Sequence, residues 1–556
     1  TLDNLVYWKM VDPQGRWKLI ERVAHNFGKI HDQALVHFRI HYLDDNGKTT
    51  IYSEELSIPG SKFRKVGLGK DVTDKFLSGL PGIQKEGTDG IITSAGFILH
   101  QPFSFTYTIC MEFFGTVSTA TPAIMEVKDF VFSHPRVELA GLEHLDWRYV
   151  RAVGYATKAA RNIRPKMVLL ADIAADNQSE LEEVAKHIVT FARKREGEAF
   201  IARSAAERKA FWLDRSRTAA IAKHTNAFKI NEDVVIPLQH LGEYSDEIER
   251  INIELSFANK LQLCTALTNY LSIQLPNEPL DPDLPHQVIL AKQTQRSLIL
   301  INEVKARWQW MCSNLDCSLA HLKQMYPQIM QDTEKQYPND GTIFTAMRDF
   351  QLRISIKRDL LEPLASIFSS KNQSAILEKI NYLHREVVRS RIFVALHMHA
   401  GDGNIHTNIP VNSDNAQMLA VAEKIVKRIM NIVRRLNGVI SGEHGIGITK
   451  IDYLTDDEMQ DFWTYKKQVD PHQYFNRGKL MRGANLNIAY TPSFHLLTEE
   501  ALILEHSNIG TIANDVKNCL RCGKCKPVCS THVPRANLLY SPRNKILALS
   551  LLTEAF

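Results

Sequence analysis

The stretch that decides the fold reads Phe393-Val394-Ala395-Leu396-His397-Met398-His399-Ala400-Gly401-Asp402-Gly403-Asn404-Ile405-His406-Thr407-Asn408-Ile409. Residues 393–399 and 405–409 are strand-like runs, and Gly401-Asp402-Gly403-Asn404 between them is turn chemistry, so the segment reads as a β-hairpin. The hairpin sets His399 and His406 on either side of a tight glycine turn, close enough to share a divalent metal. His397 shares a strand face with His399 and is a further candidate ligand. Downstream, a helix is expected to start near Ser413 or Asp414, with Met418, Ala422, Ile425, Ile429, Ile432, Val433 and Leu436 on one face, and to stop before Gly438. A short strand, Val439-Ile440, then leads into Ser441-Gly442-Glu443-His444-Gly445-Ile446-Gly447, which carries a carboxylate and an imidazole on a glycine-rich turn. Two His and one Glu, here His399, His406 and Glu443, are a common ligand set for a catalytic metal that keeps positions open for substrate.

Upstream, Met167 to Ala174 reads as a buried strand, followed by a helix that Ser179 and Glu182 would open as a capping box. The region from Glu243 to Arg389 turns to long helical patterns, among them Asp246 to Ser272 and Val288 to Asn314, and reads as a helical insertion. From Thr1 to about Met125 the pattern is strand-rich, with period-two runs such as Leu35 to Ile40. Strands and helices in this order predict an α+β sheet layered with helices.

After Met481 a polar linker leads to Cys519, Cys522, Cys525 and Cys529, spaced C-x2-C-x2-C-x3-C. Bacterial ferredoxin-type domains hold a [4Fe-4S] cluster through thiolates at this spacing, whereas zinc sites usually draw two Cys pairs from separated loops. In two-cluster ferredoxins the fourth Cys serves the other cluster, and no second run of cysteines occurs in this sequence. Arg521, Lys524 and Lys526 put positive charge beside the motif. Cys110, Cys264, Cys312 and Cys317 are scattered, which is no secreted disulfide framework and points to a reducing compartment.

Composition bounds the alternatives. The 556 residues are 44% hydrophobic, 23% charged and 8% aromatic, ordinary for several globular domains and unlike a disordered chain. A net charge of +5 gives no electrostatic case for nucleic acid. The most apolar stretch, Gly90 to Met111, contains His100, Gln101 and Pro102 and alternates as strands do, so no bilayer span is expected. The chain starts at Thr1 without a signal peptide and stops at Phe556 inside an apolar helical pattern, as a fragment would.

His399 to His406 and Ser441 to Gly447 resemble the H-x-G-D-G-N-x-H and S-G-E-H-G-x-G motifs of the FAD-linked oxidase C-terminal domain. That domain occurs in D-lactate dehydrogenases, glycolate oxidases and D-2-hydroxyglutarate dehydrogenases. Glu86-Gly87-Thr88-Asp89-Gly90-Ile91-Ile92-Thr93 resembles the end of that family's FAD domain, and Val137-Glu138-Leu139 the entry to its substrate domain. Asp470-Pro471 through Asn476-Arg477-Gly478-Lys479 resembles its closing segment, with Arg477 where proline is usual. The whole is similar to a large bacterial FAD/FMN-binding oxidoreductase fused to a ferredoxin-type iron-sulfur domain. Thr1 to Lys85 shows no glycine-rich loop for the FAD pyrophosphate, and Val6 to Ser57 has no recognised counterpart.

The resemblance implies four parts. Residues 1–125 would be the C-terminal part of an FAD-binding domain of PCMH type, carrying an insertion. Residues 126–480 would be a ferredoxin-like α+β substrate domain with a helical insertion at about 243–389. Residues 481–505 would be a linker and 506–556 the start of a small α-helical [4Fe-4S] domain. It further implies FAD lined by Glu86, Gly87, Gly90, Ile91 and Asn476, and a divalent metal, zinc by preference, on His399, His406 and Glu443. His444 would be the base, and Arg215 and Lys229 would hold the carboxylate of a D-2-hydroxy acid, since a guanidinium gives bidentate geometry and an ammonium a point charge. Arg217 is a rival for the first of these roles. Electrons would leave through the cluster to a quinone, cytochrome or protein, in the cytoplasm or at the periphery of the inner membrane. Two other readings stand beside this one: a metal-dependent hydrolase, because the same ligands would activate water, and a non-catalytic iron-sulfur electron-transfer subunit.

Overall fold

The computed structural model describes residues 2–216, 228–275, 287–327, 329, 341–369, 373–411 and 415–483, with residues 529, 542, 545 and 546 beyond them. Cys519, Cys522 and Cys525 lie outside the described residues.

The first unit is an antiparallel sheet of β1 (Leu5–Val11), β2 (Trp17–Val23), β3 (Leu35–Leu43), β4 (Thr50–Pro59) and β5 (Ile91–Phe97), ordered β4-β3-β2-β1-β5. β2 alternates buried and half-buried residues, as period-two patterning requires when one face is packed. Trp8, Met10, Ile20, Phe38 and Ile58 are drawn to that face and packed with Leu77 and Leu80. The stretch from Val6 to Ser57 thus supplies most of this sheet.

The second unit is a seven-stranded sheet of β6 (Phe105–Phe113), β7 (Glu138–Asp146), β8 (Met167–Ala175), β9 (Gly197–Ala202), β10 (Phe228–Val235), β11 (Ala395–His399) and β12 (Asn404–Val411). Its order is β10-β12-β11-β7-β8-β6-β9, with every neighbour antiparallel. Because β6 pairs with β8 and β9, residues 105–125, which sequence patterning assigns to the first unit, sit in the second.

The principal helices are α1 (Pro122–Phe132), α2 (Trp147–Val153), α3 (Gln178–Arg193), α4 (Ala205–Ser216), α5 (Leu241–Asn269), α6 (Gln287–Ser313), α7 (Ser374–Arg389), α8 (Ala416–Arg435) and α9 (Asp456–Val469), and all but α6 and α7 pack on this sheet. Two helix starts differ from expectation by local side-chain competition. Asn177, not Ser179, caps α3 by accepting the N–H groups of Ser179 and Glu180. Asn415 caps α8 by accepting that of Met418. The α8 face read from the sequence holds: Ala422, Ile429 and Val433 are fully buried against the sheet.

α5 belongs to two cores. Its first turns give Leu241, Tyr244, Ile248 and Ile251 to the sheet core, while Phe257, Leu263 and Leu267 pack with Trp308 and Leu360 in a separate helical core. The helical excursion therefore grows out of a helix that is already part of the sheet layer. Among the described residues no helix is long and apolar enough to cross a membrane.

One buried side chain joins α5 to the strand carrying the histidines. The Asn252 amide donates to Val394 O at 2.9 Å, and its oxygen accepts the Val394 N–H at 2.8 Å. Asn252→Leu should therefore orphan a buried N–H and a buried C=O, costing about 3 kcal/mol by denaturant titration. A loss within about 0.5 kcal/mol would show that this clamp is unimportant.

Candidate metal centre

Strand register builds the site. Across β7, β11 and β12, Glu143 faces His399 and His399 faces Asn404; one row further along, Leu145, His397, His406 and Asp233 line up across four strands. Residues directly opposite in an antiparallel pair share a face, so these two rows gather Glu143, His399, Asn404, His397, His406 and Asp233 into one patch. The turn between β11 and β12 is too tight for a side chain at Gly403: φ is +67°, and a Cβ there would meet Ile236 O at 2.4 Å.

The second half of the site, residues 441–447, has no regular structure and is held by carboxylates. Asp233 Oδ2 accepts the backbone N–H groups of Gly442 and Glu443, each at 2.6 Å, and of His444 at 3.3 Å. Its Oδ1 accepts from Ser441 Oγ at 3.0 Å and Lys450 Nζ at 2.7 Å. Glu86, reaching across from the first unit, accepts Ile446 N–H at 2.6 Å and Gly447 N–H at 2.9 Å. Gly445 must lack a side chain, since φ is +87° and a Cβ would meet Glu86 Oε1 at 2.6 Å. Burial alone would raise Asp233, but Lys450 and the hydrogen bonds outweigh it and bring it from 3.8 to about 2.

So held, Glu443 Oε1 lies 3.2 Å from His406 Nε2 and 3.5 Å from His399 Nε2. One ligand atom from each of His399, His406 and Glu443 falls within 4.8 Å of the others, the only such grouping among the described residues. The set fits a divalent metal: two imidazoles and a carboxylate converge, and His399 is oriented from behind by Glu143, whose Oε1 is 2.5 Å from His399 Nδ1. Hydrogen bonds to Glu143 and then Glu443 push His399 up to about 9, and the hydrogen bond to His399 comes first among the contacts that drive Glu443 far below the usual carboxylate range. Burial pulls His406 down. A metal would take the place of the protons these groups now share.

The other sequence-derived candidates fall around this centre. His397 is not in the group; it stacks behind His406, ring centroids 4.7 Å apart, with its Nδ1 2.9 Å from the Asn408 amide nitrogen. His444 lies against the group, its ring centroid 5.1 Å from that of His406 and its Nδ1 3.6 Å from Asp233 Oδ1. Arg215 spans to Glu143, with Nε and one Nη at 2.9 and 2.8 Å from Oε2, so its guanidinium supports the His399 partner. Lys229 lies in β10 opposite Pro410, its side chain outside the described set, as is Arg217.

On the flavin side, Glu86 and Asn476 meet: the Asn476 amide donates to Glu86 O at 2.9 Å and Gly87 O at 3.1 Å. Gly90 packs against the Val11 carbonyl, and Ile91 is 58% exposed on the edge strand β5. The polar groups of Glu86 and Asn476 are thus spent on protein backbone.

Glu143 and Lys70 are neighbours of the group that sequence reasoning did not name, and Asp233 was noted only as the acid of a segment resembling the family's R…K…D-x-x-x-P substrate stretch. An acid within the otherwise apolar run Asp233-Val234-Val235-Ile236 was the available signal for Asp233. Lys70 Nζ lies 2.8 Å from Glu443 Oε2.

Asp233→Ala would leave three backbone N–H groups unpaired in the interior and remove one of the two carboxylates that face Lys450, and should cost about 3–5 kcal/mol. Asp233→Asn gives the pH test. The folded value lies below the ordinary 3.8, so the charged form's advantage is complete above about pH 4 and is lost as pH falls toward about 2. The stability gap between wild type and Asp233→Asn should close over that window. A pH-independent gap would assign the effect to shape alone.

Residues 111–265 and 370–480 match the family described as FAD linked oxidases, C-terminal domain, and the match leaves out 266–369, the greater part of the helical excursion. The chain is 36% identical over 88 residues to D-2-hydroxyglutarate dehydrogenase of Xanthomonas citri pv. viticola, covering 15% of this chain and 19% of that protein. It is 30% identical over 112 residues to the mitochondrial D-lactate dehydrogenase [cytochrome] of Arabidopsis thaliana, covering 19% and 20%. With glycolate oxidase subunit GlcD of Escherichia coli K12 it shares 38% identity over 90 residues, covering 16% and 18%. The chain spans about a fifth of the length of the curated relatives it matches. These matches support placing residues 111–265 and 370–480, with the ligand cluster they carry, in the FAD-linked oxidase family.

Proposed function

We propose that the chain is part of a flavin-dependent oxidoreductase that oxidises a D-2-hydroxy acid of the lactate, glycolate or 2-hydroxyglutarate kind. The observation that carries this is the convergence of His399, His406 and Glu443 beside His444 in a domain of FAD-linked oxidase type. When bound, a divalent metal, zinc by preference, would polarise the substrate hydroxyl, and FAD would accept hydride from C2.

The protein's own groups divide the remaining work. His444 takes the hydroxyl proton, because its neighbour Glu443 faces the ligand cluster while its own Nδ1 faces Asp233. Asp233, buried and ionised, steadies the imidazolium that results. Arg215 acts as a positioning residue: it fixes Glu143, which fixes His399. Lys229 is the proposed partner of the substrate carboxylate. Glu86, Gly87, Gly90, Ile91 and Asn476 are proposed to form the isoalloxazine-side wall, with the phosphates held by other residues. Cys519, Cys522, Cys525 and Cys529 are proposed to hold a [4Fe-4S] cluster that splits the flavin's electron pair into single electrons for a quinone, cytochrome or protein acceptor. A cytoplasmic site, at most peripheral to the inner membrane, is part of this proposal.

Glu443→Gln should lose bound metal and 2-hydroxy-acid oxidation together. His444→Ala should keep metal and reduce turnover roughly 10²- to 10⁴-fold, measured as flavin bleaching by D-lactate or D-2-hydroxyglutarate. Metal lost in His444→Ala and retained in Glu443→Gln would exchange the two roles. A colourless zinc protein inert to 2-hydroxy acids would favour the hydrolase, and a brown protein without flavin the electron-transfer subunit.

Anaerobic reconstitution should load iron and sulfide in the wild type and give broad visible absorbance that Cys522→Ser abolishes. Failure of the wild type to take up iron and sulfide would remove the cluster from the proposal.

A further inference from the structure

The loop at residues 68–72 belongs to the first unit, between β4 and β5, yet it is laced onto the ligand turns of the second. Gly69 N–H donates to Asp402 O and Val72 N–H to Ser441 O, each at 3.2 Å. The approach is so close that a Cβ on Gly69 would meet Asp402 O at 2.3 Å. Between these two anchors, Lys70 is carried into the centre with only a quarter of its side chain exposed.

Three oxygens surround its ammonium: Glu443 Oε2 at 2.8 Å, Asn404 Oδ1 at 3.3 Å and Asp402 Oδ2 at 3.6 Å. An ammonium has three N–H donors and no acceptor: two are taken by Glu443 and Asn404, and Asp402 adds an opposite charge without a hydrogen bond. The two oxygens of Glu443 are sorted by it. Oε1 faces the histidine nitrogens at 3.2 and 3.5 Å, and Oε2 faces Lys70.

The geometry points to Lys70 as a positioning residue of the metal centre: by holding Glu443 Oε2 it makes Glu443 a one-oxygen ligand through Oε1, and it does so from the first unit. This rests on the reading of His399, His406 and Glu443 as metal ligands. A carboxylate that offers one oxygen suits a low-coordinate ion such as Zn²⁺, whereas a carboxylate free to offer both suits ions that take six or more oxygen-rich ligands, such as Mn²⁺. Lys70 therefore tunes which metal the site prefers. It also makes ligand geometry depend on how the first unit is seated.

The test uses the full chain and the two metal ions alone, with Kd for Zn²⁺ and for Mn²⁺ measured by competition against a chromophoric chelator. Both ions carry the same charge, so losing the ammonium's repulsion moves both affinities together, and only the change in carboxylate geometry alters their ratio. In Lys70→Met the preference for Zn²⁺ over Mn²⁺ should fall by about tenfold, and in Lys70→Arg, which can still reach Oε2, it should stay within about threefold of wild type. Should Lys70→Met fail to fold, Lys70→Leu reads the same ratio. Equal shifts for both ions, or no shift, overturn the assignment. A Glu443→Gln variant that keeps wild-type Zn²⁺ affinity would instead overturn the metal-site reading, so the two failures are distinct.

Discussion

The Asp233 carboxylate, fully buried in β10, accepts three consecutive backbone N–H groups from residues 442–444, and the geometry of the whole centre hangs from that contact. A segment with three glycines in seven residues carries no helix or strand hydrogen bonds of its own to define it. A fixed anion in the sheet supplies what secondary structure does not, and the cost of burying it is offset by Lys450, whose ammonium also donates to the Asp233 and Ile440 carbonyls. Because Glu443 and His444 follow each other in that clasped segment, the same contact that aims one side chain at the histidines aims the next toward Asp233. Backbone geometry thus gives the two side chains different partners, although both lie beside His406.

A second clasp ties this centre to the first sheet. Glu86 takes the N–H groups of Ile446 and Gly447, and Lys75, buried beneath, neutralises it at 2.8 Å. Nearby, Tyr465 of α9 donates to Asp89 at 2.8 Å, and Lys466 donates to the Thr88 carbonyl at 2.5 Å. The junction between the units therefore carries a charge-paired polar network alongside apolar contacts of Leu68 with Val235 and Val439 and of Phe76 with Tyr465. Such a junction defines orientation through hydrogen-bond directions, which apolar packing does less sharply. The placement of residues 86–91 beside the ligand cluster follows from it, and those are the residues the flavin reading needs there.

What the sequence disclosed and what it hid divide by distance along the chain. The hairpin, the α8 face and the convergence of His399, His406 and Glu443 were legible because turn chemistry, a 3.6 period and motif spacing are local signals. Glu143 was not: it reaches His399 across 256 positions through the pairing of β7 with β11, and no single-sequence pattern reports which strands pair. Asp233 acts across 210 positions and Lys70 across 373. Arg215 was noticed for its charge, but its pairing with Glu143, 72 positions away, was not. The cap of α3 was misplaced by two residues because Asp176, Asn177 and Ser179 all have capping chemistry, and backbone φ and ψ, not composition, chose Asn177.

The helical excursion shows how an enlarged domain keeps such a centre intact. It leaves through the far half of α5 and returns through α7, and these helices pack on each other within the second core, so the ends of the excursion are already adjacent. Loop-closure cost then grows only slowly with what is inserted between them. The near half of α5 stays on the sheet core, and Asn252 holds Val394 just before β11 begins. Any load the added helices place on α5 is met there, one strand end away from His399. The Asp233 and Glu86 clasps lie on the other side of the ligand cluster, on β10 and in the first unit. An insertion anchored at α5 can therefore vary in size while both clasps of the ligand turn remain untouched.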